Sequence, residues 1–224
     1  MSMPLPWSHS SIAGFETCPR QYEEIKVLRN FKSADNEASI WGNEFHTAAE
    51  LYLKGEAALG ERFTTYKPYL DQFLAMPGQL FAEQEYALDR QLRPCPFSGP
   101  EVWGRGIIDV LVLNGTHAHV ADHKTGKRKK DMQQLIIFAL LVFYHHPEIE
   151  TCETTYRWLK TNEIDTETFH RSGIAAMWET LLPKLQRYAN AFHVGVFPAR
   201  PSGLCKKHCP VETCEYVGIG MYRG

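Results

Sequence analysis

The chain has 224 residues, 44% of them hydrophobic, which suits one well-buried domain or one domain with an appendage. With 24 basic and 26 acidic residues the formal net charge is −2, so a uniformly basic nucleic-acid coat is excluded and any polyanion has to meet a local patch. No apolar run reaches the ~18–20 residues of a membrane span and the N-terminus has neither the basic nor the apolar region of a signal peptide, so a cytoplasmic protein without structural disulfides is expected.

Ser8, Ser10 and Ser11 offer hydroxyl caps for a first helix carrying Ile12 and Phe15, which Pro19 ends; a second helical piece follows over about 20–28. The spacing of Ile40, Phe45, Ala48, Leu51 and Tyr52 predicts a longer helix over 37–59, and another is expected over 65–76. Strands are expected at 80–88, about 102–113 and 117–124, with Asn114-Gly115 turning the last two into a hairpin. A strongly apolar helix over 131–146 starts at Asp131. A second hairpin runs over 153–160 and 164–170, a helix over 173–193, and an irregular Pro-, Gly- and Cys-rich tail from Gly195. The fold class is α/β: a mixed central sheet flanked by helices, as in restriction endonucleases, with N-terminal helices and an irregular cysteine-rich tail. As a single domain over 1–224 it divides into a helical N-terminal region over residues 1–78, a core over 79–171, a helix over 172–194 and a tail over 195–224.

The chemistry concentrates around the first hairpin. Asp109 interrupts an apolar run from Ile107 to Leu113, and Asp122-x-Lys124 closes the next run. Alternation puts Asp122 and Lys124 on one face of a strand, and antiparallel pairing brings Asp109 beside them. Two carboxylates brought together repel unless a cation lies between them. A divalent metal, two carboxylates and a lysine beside a bound water make a hydrolytic site. His46 and Glu50 share a helical face, so His46 is a candidate metal ligand with Glu50 orienting its ring. Glu83 and Glu85 share a strand face, so either can reach the site. Lys124, Lys127, Arg128, Lys129 and Lys130 form a basic run placed to meet substrate phosphates.

Together these segments resemble the RecB-like branch of the PD-(D/E)XK nuclease superfamily. The resemblance rests on Gly42-x-x-x-His46-x-x-x-Glu50, Gly106-x-x-Asp109, Asp122-x-Lys124-Thr125-Gly126 and Gln134-x-x-x-Phe138 in that order, and on the opening Ser10-Ser11-Ile12-x-x-Phe15-x-x-Cys18-Pro19-Arg20-Gln21-Tyr22. Phe138 departs from it, standing where the branch usually has tyrosine. The resemblance implies Mg²⁺ or Mn²⁺ held by Asp109, Asp122, His46 and the His123 backbone carbonyl. It implies that Lys124 holds the attacking water, that Glu83 is the upstream acid with Glu85 the alternate, and that Gln134 fixes the metal site or the DNA backbone. The implied activity is a metal-dependent deoxyribonuclease, an exonuclease of DNA recombination or processing, with DNA and recombination or replication proteins as partners. Its compact length suggests a phage or mobile-element protein. The alternative is a catalytically inactive DNA-binding or adaptor protein on the same fold.

Cysteines clustered in a reducing compartment point to a metal. Cys18 together with Cys205, Cys209 and Cys214 resembles the sets that hold a 4Fe–4S cluster in CRISPR-associated exonucleases and AddB-type proteins. The spacing departs from C-x₂-C-x₅-C, with His208 where the middle cysteine falls, so the alternatives are zinc, as a metal site or as a module that recruits a protein partner, and a site that has lost its metal.

Overall fold

The computed structural model describes residues 5–33, 37–128 and 131–219 of the protein. These form two compact units: Met1–Asp35 with Thr180–Gly224, and Asn36–Glu179.

The first unit opens with α1 (His9–Thr17), started by a capping box. Ser11 donates its backbone N–H to Ser8 Oγ (3.2 Å), and Ser8 donates its N–H to Ser11 Oγ (2.6 Å), satisfying amides that the first turn leaves free. Cys18 is extended (φ −162°), and Pro19 begins α2 (Pro19–Tyr22), the helical position where a missing N–H costs nothing. The chain continues as a π-turn over Glu23–Val27. The aromatic rings of Phe15, Tyr22, Tyr188 and Phe197 pack edge-to-face, with Phe15–Tyr188 centroids 5.5 Å apart. The Tyr22 and Tyr188 hydroxyls meet at 2.8 Å, so neither is buried without a partner.

The larger unit carries α3 (Glu37–Leu53), α4 (Lys67–Ala75), β1 (Gln79–Leu88), β2 (Gly104–Asn114), β3 (His117–Lys124), α5 (Gln133–His145), β4 (Thr151–Trp158) and β5 (Glu163–His170). A further helix, α6 (Ile174–Val194), begins in this unit and ends in the other. The strands form one sheet in the order β1-β2-β3-β4-β5. All neighbours are antiparallel except β3 and β4, which run parallel and are joined through α5. Phe45 and Ala49 of α3, Leu70 and Phe73 of α4, and Ala82, Val110, Val112 and Ala121 of the strands share one apolar cluster. α5 touches all five strands and is buried along nearly its whole length, which is why its sequence is apolar all round rather than on one stripe. The mixed sheet is thus flanked by helices, as the sequence leads one to expect.

Two elements differ from expectation for local reasons. α3 stops at Leu53, six residues short of the expected end at 59. Gly55 takes φ +73°, and the Glu56 N–H returns to Leu51 O at 2.9 Å, a Schellman closure that apolar periodicity does not reveal. The β2–β3 hairpin turns on Gly115-Thr116 rather than Asn114-Gly115, since Asn114 pairs with His117 and only Gly115 has positive φ (+58°) in the turn. Glycine at the first loop position suits a type II′ turn.

The carboxyl end of α5 is held by one side chain. Arg171 donates from Nη1 to Phe143 O (3.0 Å), from Nη2 to His146 O (2.6 Å) and from Nε to Ile149 O (2.7 Å). These bonds satisfy carbonyls that the helix end leaves open and place a cation at the negative pole of the dipole. Arg171→Ala is expected to lower unfolding stability by about 2–3 kcal/mol, and Arg171→Lys to recover little of it because an ammonium cannot span the fork. Urea denaturation of the variants measures this; an Arg171→Ala midpoint equal to wild type would refute the capping role.

Candidate active site

The site is built where β2 and β3 separate. Their register ends at Val110↔Ala121, one step short of Asp109 and Asp122. There the ladder is replaced by a side chain: Asp109 Oδ2 accepts the His123 backbone N–H at 2.7 Å. Asp109 is thereby fixed at the fork, with its carboxylate between the strands.

α3 brings His46 to it. His46 Nδ1 lies 3.3 Å from Asp109 Oδ2 and 3.6 Å from Glu83 Oε1. α3 can come this close because of Gly42: a Cβ there would lie 3.0 Å from Thr125 Oγ1, the threonine that follows Lys124. Burial pushes the His46 imidazolium down, but hydrogen bonds to Asp109 and Glu83 and the charges of Asp109 and Asp122 outweigh it, raising the pKa to about 10. Gly106 has a similar reason to lack a side chain, since its Cβ would lie 2.9 Å from Leu141 Cδ1 and 3.3 Å from Phe138 Cε1. Phe138, the residue without the tyrosine hydroxyl, is buried there.

Glu83 has φ +50°, an uncommon conformation for a non-glycine residue, and the regular β1–β2 register skips it, passing from Ala82↔Val110 to Gln84↔Ile108. Glu83 meets His46, whereas Glu85 joins none of the site's ion pairs. Strain of this kind persists where surrounding contacts hold it, and it clusters at functional sites. Glu50 does not orient His46. Its carboxylate pairs with Lys54 at 2.5 Å, the ordinary i, i+4 partner.

On β3, Asp122 is 2% exposed. Gln134 from the first turn of α5 donates Nε2 to Asp122 Oδ1 (2.8 Å), while its Oε1 accepts from Lys124 Nζ (2.5 Å). Lys124 Nζ also lies 2.6 Å from Asp122 Oδ2, an ionic contact without hydrogen-bond geometry. Gln134 thus spans the acid and the base of the D-x-K pair and orients both. Burial, then the charge of Asp109, raises the Asp122 pKa, while Lys124 opposes the rise; Asp109 is held low against its own burial by His46 and His123. Two buried carboxylates pushed in opposite directions behave as a pair competing for one countercharge.

The His123 side chain also lies at the site. Its ring is buried, edge-on to Phe45 (5.3 Å) and Tyr69 (5.5 Å), and neither ring nitrogen has a hydrogen-bond partner. Burial holds it neutral, with a pKa near 4. His46, Asp109 and His123 each offer a ligand atom within 4.8 Å of the others. The unpartnered His123 nitrogens, with the Asp109 carboxylate and the His46 imidazole within 4.8 Å, fit a divalent cation of the Mg²⁺ or Mn²⁺ type. Nothing in the sequence distinguished the His123 ring from an ordinary core histidine.

The basic run is less available than its composition suggests. Arg128 pairs with Glu163 (2.7 Å) and with Asp165 on the β5 hairpin. Lys127 is exposed, and Lys129 and Lys130 lie outside the described residues.

In the other unit, Cys18, Cys205, Cys209 and Cys214 are free, half-buried thiols. The Cys209 thiol is pushed up by burial and further by Cys205, Cys18 and Cys214, which places all four within electrostatic reach. Backbone N–H groups point at two of the sulfurs: Arg200 donates to Cys18 Sγ and Ser202 to Cys205 Sγ, both at 3.4 Å. Among the described residues, no trio of these sulfurs, with or without His208, lies within 4.8 Å.

Comparison with known proteins agrees with this geometry. Two solved structures share the fold: the protein SSO0001, at 15% identity and TM-score 0.50, covering 97% of this chain and 89% of that one; and a Eubacterium rectale protein described as a "Putative exonuclease", at 13% identity and TM-score 0.51, covering 98% and 89%. No curated protein matches. The profile of the PD-(D/E)XK nuclease superfamily matches residues 6–215, spanning both units and every motif of the site, and the chain belongs to that superfamily.

Proposed function

We propose that this protein is a Mg²⁺- or Mn²⁺-dependent deoxyribonuclease of the RecB-like branch, acting as an exonuclease in DNA recombination or processing. The observation that carries the reading is the cluster of His46, Asp109 and His123, whose ligand atoms lie within 4.8 Å of one another, with the buried Asp122 feeling the charge of Asp109 and Lys124 held beside Asp122 by Gln134. An inactive adaptor gains nothing from holding two repelling carboxylates together. Asp109, Asp122 and His46 would hold the cation, with His123 adding either its carbonyl or its ring. Bound there, a divalent cation would supply a water activated for attack and neutralise charge on the scissile phosphate.

The remaining work falls to the protein's own groups. Lys124 directs its ammonium at the attacking oxygen and offsets charge gathering on the phosphate. Gln134 fixes Lys124 and Asp122 relative to each other, and Glu83 holds the His46 ring. Lys127, with Lys129 and Lys130, meets DNA phosphates without regard to sequence; Arg128 joins them only by leaving Glu163 and Asp165.

The cysteines of the other unit are assigned to a 4Fe–4S cluster rather than to zinc. Tetrahedral zinc at ~2.3 Å from each sulfur needs sulfurs about 4 Å apart, closer than these gather, and N–H groups aimed at sulfur are the usual surroundings of a cluster. Free thiols and such a cluster suit a reducing cytosol, where we place the protein. No helix among the described residues is long and apolar enough to cross a membrane.

Incubating the purified protein with end-labelled linear DNA and closed circular DNA, with and without Mn²⁺, tests the activity. Metal-dependent loss of the linear substrate with the circle intact is expected. Equal cutting of the circle would make the enzyme an endonuclease, and no cutting of either would remove the nuclease reading.

A further inference from the structure

Within the larger unit, a cavity of about 440 Å³ opens at the head of α3, lined by Glu37, Ala38, Trp41, Arg62, Tyr66 and Lys160. Its walls are unlike those of an ordinary apolar cleft. Trp41 and Tyr66 stand at 68° to each other with centroids 6.1 Å apart, forming an aromatic corner. Phe45 stacks nearly parallel to Trp41 (9°), and Phe63 meets the Trp41 ring at 72°, so that ring is held from behind. Two cations border the corner. Arg62 pairs with Glu44, and Lys160 makes no ion pair among the described residues.

The cavity also adjoins the active site. Trp41 precedes Gly42, the residue that packs on Thr125, and Phe45 is stacked on Trp41 while its edge meets the His123 ring. Lys160 follows Leu159, whose N–H donates to Lys124 O at 2.9 Å, so it emerges beside the end of the D-x-K strand. One aromatic ring therefore separates the cavity from the metal-ligating cluster.

We propose that this cavity seats an unpaired base of a DNA strand whose backbone enters the active site. This rests on the nuclease reading above. A flat π-system joined to a phosphate is what an aromatic corner beside two cations recognises. A base inside a duplex has both faces covered by its neighbours, so only an unpaired base can lie on Trp41 with its edge against Tyr66. Lys160, with no acid to release, takes the adjoining phosphate. The cavity thereby selects single-stranded or frayed DNA ends over blunt duplex.

Binding measured by fluorescence anisotropy, with EDTA present so that neither cleavage nor the metal site contributes, isolates this cavity. The probe is a fluorescein-labelled oligo(dT) of about 12 nucleotides, set against a blunt duplex of the same length. Tyr66→Ala is expected to weaken oligo(dT) binding by roughly 5-fold, the low end of what one aromatic contact to a base contributes, because Tyr66 meets the base edge while Trp41 stacks on it. Lys160→Ala should reduce the salt dependence by about 0.7 in log–log slope, one phosphate contact on a single strand. Both variants should change binding to the blunt duplex by less than about 2-fold on the same reasoning. Trp41→Phe keeps a flat wall in the packed corner, so it should retain binding yet abolish most of the tryptophan quenching that oligo(dT) produces.

Wild-type oligo(dT) affinity in both Tyr66→Ala and Lys160→Ala overturns the proposal, as does an equal loss on the blunt duplex. Cleavage in Mn²⁺ by variants that still bind oligo(dT) normally would remove the cavity and leave the nuclease. Binding that depends on Tyr66 and Lys160 in a protein that never cleaves would do the reverse.

Discussion

Asp122→Ala and Lys124→Ala are each expected to slow Mn²⁺-dependent cleavage by at least ~10²-fold, the scale on which a positioned catalytic group is lost. The geometry separates their causes. Asp122 is the buried carboxylate whose Oδ2 lies 2.6 Å from the Lys124 ammonium, so removing it takes away a proposed metal ligand and leaves that cation without its counterion. Lys124→Ala leaves both carboxylates and the imidazole in place. Mn²⁺ binding followed by electron paramagnetic resonance should therefore weaken in Asp122→Ala and stay near wild type in Lys124→Ala, although both lose cleavage. Gln134→Ala should fall between wild type and the two, because Gln134 only orients them through bonds of 2.5 and 2.8 Å. Wild-type rates in both alanine variants would place hydrolysis outside this site.

Much of that site is legible in the chain. The apolar runs around Asp109 and before Asp122, and a hairpin between them, are local signals, and they put the two carboxylates on neighbouring strands with no knowledge of the rest of the fold. The expected strands fall within two residues of those observed because alternation and turn residues act over short range. What escapes is what depends on long-range packing. Glu83, and not Glu85, is the partner of His46, and no residue pattern announces a positive φ at a glutamate. Glu50 had two possible partners on its helix, and Lys54, being on the same face one turn on, takes it. Arg128 looked like a phosphate ligand until the β5 hairpin brought Glu163 and Asp165 beside it. Trp41 and Tyr66 lie 25 positions apart on separate elements, so their corner exists only once α3 and the turn before α4 have packed.

The cysteines show the same limit from another side, and they carry the second large expected effect. Protein purified without oxygen should be brown and should contain iron and acid-labile sulfide, with Cys18, Cys205, Cys209 and Cys214 as the four thiolates. In this unit the early segment and the tail have few regular elements to bind them: α1, α2, a π-turn, the end of α6 and a short 3₁₀ turn over Gly203–Lys206. Backbone contacts such as Arg20 N–H to Pro198 O (3.3 Å) are sparse, so a cluster joining Cys18 to the tail would supply a large share of that unit's stability. Replacing any one of the four by Ala should bleach the colour and lower the thermal midpoint by roughly 5–10 °C. Cys152→Ala and Cys95→Ser lie outside the set and should keep the iron, Cys152 being a buried thiol and Cys95 a residue whose N–H donates to Ala87 O of β1. A single bound zinc with no iron would instead require the sulfurs to close to about 4 Å. That contraction can be read from zinc-edge X-ray absorption, and finding it would replace the cluster by a zinc site. Cysteine variants that lose neither colour nor stability would mean that the four thiols share no metal at all.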